Sequence, residues 1–179
     1  SRGEDIEYIL EISFEQAIKG AEVKLKLDQF EKITVKLPAG IHDGSRIRVA
    51  GKGKSGIMGG ERGDLYIVAK IKAHPYFRRE EDDIHLDCPV TITEAAMGAK
   101  ITIPTIDGNT VLVLPQGTQS GQKLRLRDKG VPHLKGKGRG DQYVIIKIMV
   151  PKNLDQKSKD ILEEFQKLNP YNPRQDIGW

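Results

Sequence analysis

The sequence is poor in several things, and each shortage excludes a class of protein. A single cysteine, Cys88, among 179 residues rules out an internal disulfide and a thiol-rich metal centre. The four histidines, His42, His74, His85 and His133, stand far apart, so none can pair on one helical turn to hold a metal. One tryptophan, five tyrosines and four phenylalanines are too few for a platform on which single-stranded bases stack. No window approaches the roughly 18 apolar residues of a membrane-spanning helix. No charged start followed by an apolar stretch opens the chain as a secretion signal would, which leaves a cytoplasmic setting as the expectation. Lys and Arg total 29 against 25 Asp and Glu, a net charge of +4. That excess is small and evenly mixed with acids, so it does not demand a nucleic-acid partner.

What the sequence does have is an internal repeat, the first thing to seek in an unknown chain. Leu37-Pro38-Ala39-Gly40 recurs as Leu114-Pro115-Gln116-Gly117, 77 residues on. From Leu37–Ala73 against Leu114–Val150, 14 of 37 positions are identical without a gap. Upstream, Ser13–Gly20 matches Thr91–Gly98 at a displacement of 78. The chain is therefore two copies of one unit followed by a tail.

Each copy reads as short strands divided by glycine and proline turns. Val23, Leu25 and Leu27 alternate with Lys24 and Lys26, the period of two expected of a half-buried strand. Runs at 4–12, 33–37, 46–50 and 64–72 follow suit, and copy two repeats them at 84–91, 100–104, 110–114, 123–127 and 141–150. One helical turn sits between the first two strands, capped by Ser13 or Thr91 and ended by Gly20 or Gly98. The expected fold is all-β: two tandem homologous β-sandwich units, each antiparallel, then a short C-terminal helix. The expected domains are residues 1–77, 78–154 and a tail of 155–179. In the tail Asp155 caps a helix over 156–168 whose stripe is Ile161, Leu162, Phe165 and Leu168.

Several motifs invite a functional reading that their setting does not support. Gly51-Lys-Gly-Lys-Ser-Gly56 fits G-x-G-x-x-G, but it precedes a strand, where a dinucleotide loop must open a helix. Glu80-Glu81-Asp82-Asp83 lacks the spaced ligands of a calcium loop and reads as a solvated turn. Lys135, Lys137 and Arg139 between glycines read as a solvated loop. No nucleophile, base and orienting acid stand in a recognisable arrangement, so neither an enzyme nor a cofactor nor a metal is expected. Tyr8-Ile9-Leu10 is apolar on both faces, and such a strand at a sheet edge invites an added peptide strand.

Taken together, Phe14-Glu-Gln-Ala17, Leu37-Pro-Ala-Gly40, Gly63-Asp-Leu-Tyr66, His74-Pro-Tyr-Phe77, Thr105-Ile-Asp-Gly108 and Leu124–Gly130 resemble the carboxy-terminal half of the DnaJ-type J-domain co-chaperones. The likeness covers about residues 4–168. The direct passage Leu27–Ile33, with no cysteine-rich insertion, resembles the zinc-free subtype. The H-P-D signature of a J domain is missing, and the start at Ser1-Arg2-Gly3 is expected to follow a glycine-rich linker. The resemblance implies a stress-response co-chaperone that binds apolar segments of unfolded clients, delivers them to a DnaK-type chaperone, and binds that chaperone's acidic tail. Carried over by position, the peptide-binding residues are Tyr8, Leu10, Leu25, Leu27 and Ile67, flanked by Lys24 and Lys26. Leu27 corresponds to Thr105 and Leu10 to Cys88, so the binding site is expected in copy one. The stripe of Ile161, Leu162, Phe165 and Leu168 packs either on the second sandwich or against another copy of itself, and a homodimer through it is the expectation. A basic nucleic-acid-binding protein of the same fold, suggested by a pI near 9.1, is the alternative.

Overall fold

A computed structural model describes residues 1–179. Ser1–Ile148 form one compact unit and Met149–Trp179 another. The first repeat comprises β1 (Ile6–Ile12), α1 (Phe14–Lys19), β2 (Ala21–Lys26), β3 (Lys32–Leu37), β4 (Arg46–Val49) and β5 (Leu65–Ile71). The second comprises β6 (Phe77–Glu80), β7 (Asp83–Thr91), α2 (Ile92–Met97), β8 (Ala99–Thr105), β9 (Gly108–Leu114), β10 (Lys123–Leu126) and β11 (Gln142–Met149). Then comes α3 (Gln156–Leu168). The fold is all-β with short helices. The boundary expected at 77/78 falls inside β6, and the compact first unit runs across it.

Each repeat sets a larger sheet against a two-stranded one. In the first the sheets are β1-β5-β4 and β2-β3; in the second, β10-β11-β7-β6 and β8-β9. Leu10, Ile12, Leu65, Ile67 and Ala69 from one sheet meet Leu25, Val35 and Leu37 from the other in the first core. Ile84, Leu86, Ile103, Leu112, Val144 and Ile146 build the second. One expectation needs correction: β1 and β5 are parallel, Ile6 beside Leu65 and Ile12 beside Ile71. The alternation of side chains is the same in both senses, so the pattern could not reveal direction. The long excursion through α1, β2, β3 and β4 gives the chain the crossover that parallel neighbours require.

The short helices hold because their ends are satisfied. Ser13 Oγ accepts from Gln16 N–H at 3.1 Å while Gln16 Oε1 accepts from Ser13 N–H at 2.9 Å. Thr91 and Glu94 make the same reciprocal box in α2. Helix α1 contributes Ala17 to the first core but Phe14 and Ile18 to the second. It therefore ties the repeats together. Arg79 on β6 does so as well: its guanidinium donates to the carbonyls of Ile41 (2.5 Å), Gly40 (2.9 Å) and Glu81 (2.7 Å). Beside it Asp82 accepts from Arg79 and lies 2.7 Å from His133 Nδ1.

The repeat extends to single hydrogen bonds. Asp64 binds Gly51 N–H and Arg48, and Asp141 binds Asp128 N–H and Arg125. These donors, the backbone amide first and the arginine with it, hold both carboxyls below the usual range. A depressed folded value means the stabilisation is full above the unfolded pKa, about 4, and is lost as pH falls through the folded one. Asp64→Asn is accordingly expected to lower the urea midpoint at neutral pH. The gap from the parent should narrow as pH drops below about 4; a gap independent of pH would show that the charge contributes nothing.

Candidate peptide-binding site

The residues singled out in the first repeat fall into two groups. Leu10, Leu25 and Ile67 share the first core, with Leu27 packed half-buried against it. Tyr8 stands outside that cluster, in register with Ile67, and is 43% exposed. Ile67 itself is wholly buried (0%), so it supports the wall from behind and offers an incoming chain no surface. Of the apolar residues on these strands, Ile6 (37% exposed), Tyr8 and the half-buried Leu27 keep accessible surface. Ile6 was missed because it opens the strand, where the alternation has barely begun.

Strand β2 is an edge. Leu27 N–H donates to Glu31 O at 2.9 Å, which places the odd-numbered residues of β2 in the bonded pairs with β3. The backbone groups of Glu22, Lys24 and Lys26 therefore face outwards. Lys24 and Lys26 project from the solvent face, opposite Thr34 and Lys32, with Glu22 opposite Lys36. No carboxylate in the chain lies within ion-pair distance of Lys24, Lys26, Lys32 or Lys36. The free edge of β2 is thus basic, with backbone donors and acceptors left unpaired.

The second repeat has the same frame with its β1-side rim buried, while β8, like β2, remains the free edge of a two-stranded sheet. Ile84 and Leu86, the counterparts of Ile6 and Tyr8, are 0% and 4% exposed. Lys26 is matched by Pro104, which has no N–H to offer, and its carbonyl accepts from Gln142 Nε2 at 3.0 Å. Thr105, in place of Leu27, turns its hydroxyl to Gly108 O at 2.6 Å. Cys88, in place of Leu10, is buried, and that burial pushes its thiol pKa up, away from reactivity. Pro89 and Pro104 are the sequence signals that could have marked these strands as guarded.

Other features have structural duties. A cavity of about 490 Å³ lies at the joint of the repeats between Ile18, His42, Ile71, His74 and Phe77. In the basic loop Arg139 is held by Gly130 O and Asp107, leaving Lys135 and Lys137 without a third cation to form a phosphate cradle. Of the four adjacent acids, Glu80 ends β6 while Asp82 serves His133 and Arg79. His74 Nδ1 accepts from the N–H groups of Tyr76 and Phe77, shaping the turn expected of His74-Pro75. In the second unit, Asp155 caps α3 through Ser158 N–H at 2.8 Å. Ile161, Leu162, Phe165 and Leu168 are all exposed along it.

Residues 6–151 match the family model described as DnaJ C terminal domain. Chaperone protein DnaJ of Listeria welshimeri is 50% identical over 140 residues, which cover 78% of this chain and 37% of that protein. Chaperone protein DnaJ of Geobacillus thermodenitrificans is 46% identical over 138 residues, 77% of this chain and 36% of the relative. That of Brevibacillus choshinensis is 46% identical over 147 residues, 82% and 39%. The chain thus spans less than two-fifths of the length of the relatives it matches.

Proposed function

The chain belongs to the DnaJ C terminal domain family, and from that premise we propose that it is the polypeptide-binding part of a non-enzymatic co-chaperone. Apolar segments of unfolded clients lie against the rim of Ile6, Tyr8 and Leu27, and are passed to a DnaK-type chaperone. That chaperone's acidic tail adds along β2, meeting Lys24 and Lys26. The observation supporting this reading is the contrast between the repeats: one frame, built twice, is exposed at Ile6 and Tyr8 with β1 bare in the first copy, and buried at Ile84 and Leu86 with β6 along β7 in the second. Two copies joined through the α3 stripe would let one client engage two sites, raising effective affinity without new contacts.

The expected affinity is modest. One or two anchors contribute about 1.5–3 kcal/mol each, less the cost of ordering a flexible peptide, which leaves a dissociation constant of about a micromolar or weaker. Titrating the labelled chain with an apolar peptide should shift the amides of β1 and β2. Leu27→Ser should weaken that peptide about tenfold or more. Lys24→Ala with Lys26→Ala should weaken a peptide ending Glu-Glu-Val-Asp while sparing the apolar one. Amide shifts confined to the second repeat would overturn the assignment.

A further inference from the structure

The fourth strand of the second repeat has no counterpart in the first. Strand β6 pairs antiparallel with β7, Phe77 beside Leu86, Arg78 beside His85 and Arg79 beside Ile84. The equivalent larger sheet of the first repeat stops at β1. The two strands are otherwise held alike: Ile6 N–H donates to Asp64 O and Ile84 N–H to Asp141 O, at 2.8 and 2.9 Å. In the second repeat the chain before β7 turns back at Glu81–Asp82 and lies along the edge. In the first, the residues before β1 go elsewhere. Ser1 O accepts from Ile57 N–H and Gly3 N–H donates to Glu61 O, so this segment is tied to the glycine-rich loop and leaves the β1 edge bare.

That edge has a definite chemistry. Ile6 N–H and Ile12 O both bond to the β5 side, so the even-numbered residues face β5 and Glu7, Ile9 and Glu11 turn their backbone groups outwards. The matching position to Glu11 in β7 is Pro89, whose missing N–H stops strand addition there; β1 has no such stop. Glu7, Ile9 and Glu11 are exposed on one face, while Tyr8, itself exposed, and buried Leu10 lie on the other. Glu7 lies 3.5 Å from Arg46, and Glu11 has no cation within ion-pair distance.

We infer that the open edge of β1 accepts a second class of extended polypeptide, one with basic residues flanking an apolar centre, added antiparallel as β6 is added to β7. This rests on the reading of the first repeat as polypeptide-binding, and goes beyond it by assigning a separate edge with the opposite charge preference to β2. Opposite Glu7 and Glu11 the occupant places Lys or Arg, and opposite Tyr8 it places a large apolar side chain, as Phe77 stands opposite Leu86. Another β1 from a second copy is a poor occupant, because antiparallel pairing about Ile9 sets Glu7 against Glu11 of the other strand, and like charges directly opposite are destabilising.

The probe is a blocked peptide with the core Arg-Leu-Val-Phe-Arg, titrated into the ¹⁵N-labelled full chain, with Glu-Leu-Val-Phe-Glu as its control. The expected result is amide shifts and exchange protection centred on Glu7, Ile9 and Glu11, undiminished when a Glu-Glu-Val-Asp peptide saturates β2. Glu7→Gln with Glu11→Gln should weaken the basic peptide roughly fivefold and flatten its salt dependence. Ile9→Pro should abolish the protection. Should that variant unfold, Glu11→Pro copies the proline that the second repeat already carries and should shorten the protected stretch. Shifts of the basic peptide confined to Lys24 and Lys26 would overturn this inference and leave the proposed function standing. Protection of β1 that rises with protein concentration alone would mean self-pairing and would overturn it too. Absence of binding by any peptide at either edge would sink both readings together.

Discussion

Phe165→Ala combined with Leu162→Ala is expected to turn a dimer into a monomer. Helix α3 buries none of its own residues, and its apolar stripe is left in water. A three-turn helix of that kind derives most of its stability from covering such a stripe. In a twofold dimer each substitution counts twice. Four truncated anchors at about 1.5–3 kcal/mol apiece amount to about 6–12 kcal/mol, or at least a ten-thousandfold weaker association. Sedimentation velocity across the micromolar range reads this directly, with the amide spectrum of the first repeat as a control for folding. Were the parent chain already monomeric throughout that range, the stripe would have another purpose and the two-site argument for client retention would go with it.

The second large effect comes from one methyl group. Gly40 and Gly117 occupy the same place in the two copies, with φ of 89° and 79°. Their N–H groups bond alike to Ala17 O and Ala95 O. Their surroundings differ. A Cβ on Gly117 would meet nothing within 4 Å, whereas one on Gly40 would lie 2.2 Å from Pro132 O. Gly117→Ala should therefore cost only the backbone conformation, about 1–2 kcal/mol. Gly40→Ala adds a backbone collision across the joint and should cost about 3 kcal/mol or more, with faster amide exchange at Val131 and His133. Equal denaturation midpoints for the two variants would mean that the joint yields freely and does not fix the repeats.

Much of this was legible in the residues. The displacement of 77 to 78 gave the duplication, alternation gave ten of the eleven strands, and Asp155 gave the start of α3. Strand β6 was not legible, because Phe77-Arg-Arg-Glu80 is four residues of mostly charged sequence whose strand state depends on β7 beside it. Its acids read as a turn, which Glu81 at φ 53° does supply, but the turn belongs to a hairpin. The parallel sense of β1 and β5 was hidden for a deeper reason: periodicity reports which face a side chain occupies and is silent on direction. At the site, the family likeness marked Leu10, Leu25, Leu27 and Ile67 as pocket positions, and pattern alone could not rank them by depth, from wholly buried Ile67 to half-buried Leu27. The rim residue Ile6 and the guards Pro89 and Pro104 acquire meaning only once the two copies are laid on each other.

Arg79 reaches across to the first repeat and takes hold of two peptide carbonyls. Those carbonyls belong to Gly40 and Ile41, and the same guanidinium lies 3.2 Å from His42 Nδ1, so one side chain of the second repeat is fastened to three consecutive residues of the first. The two copies should therefore tumble as one body in solution, and a force applied to the first would be felt by the second without delay.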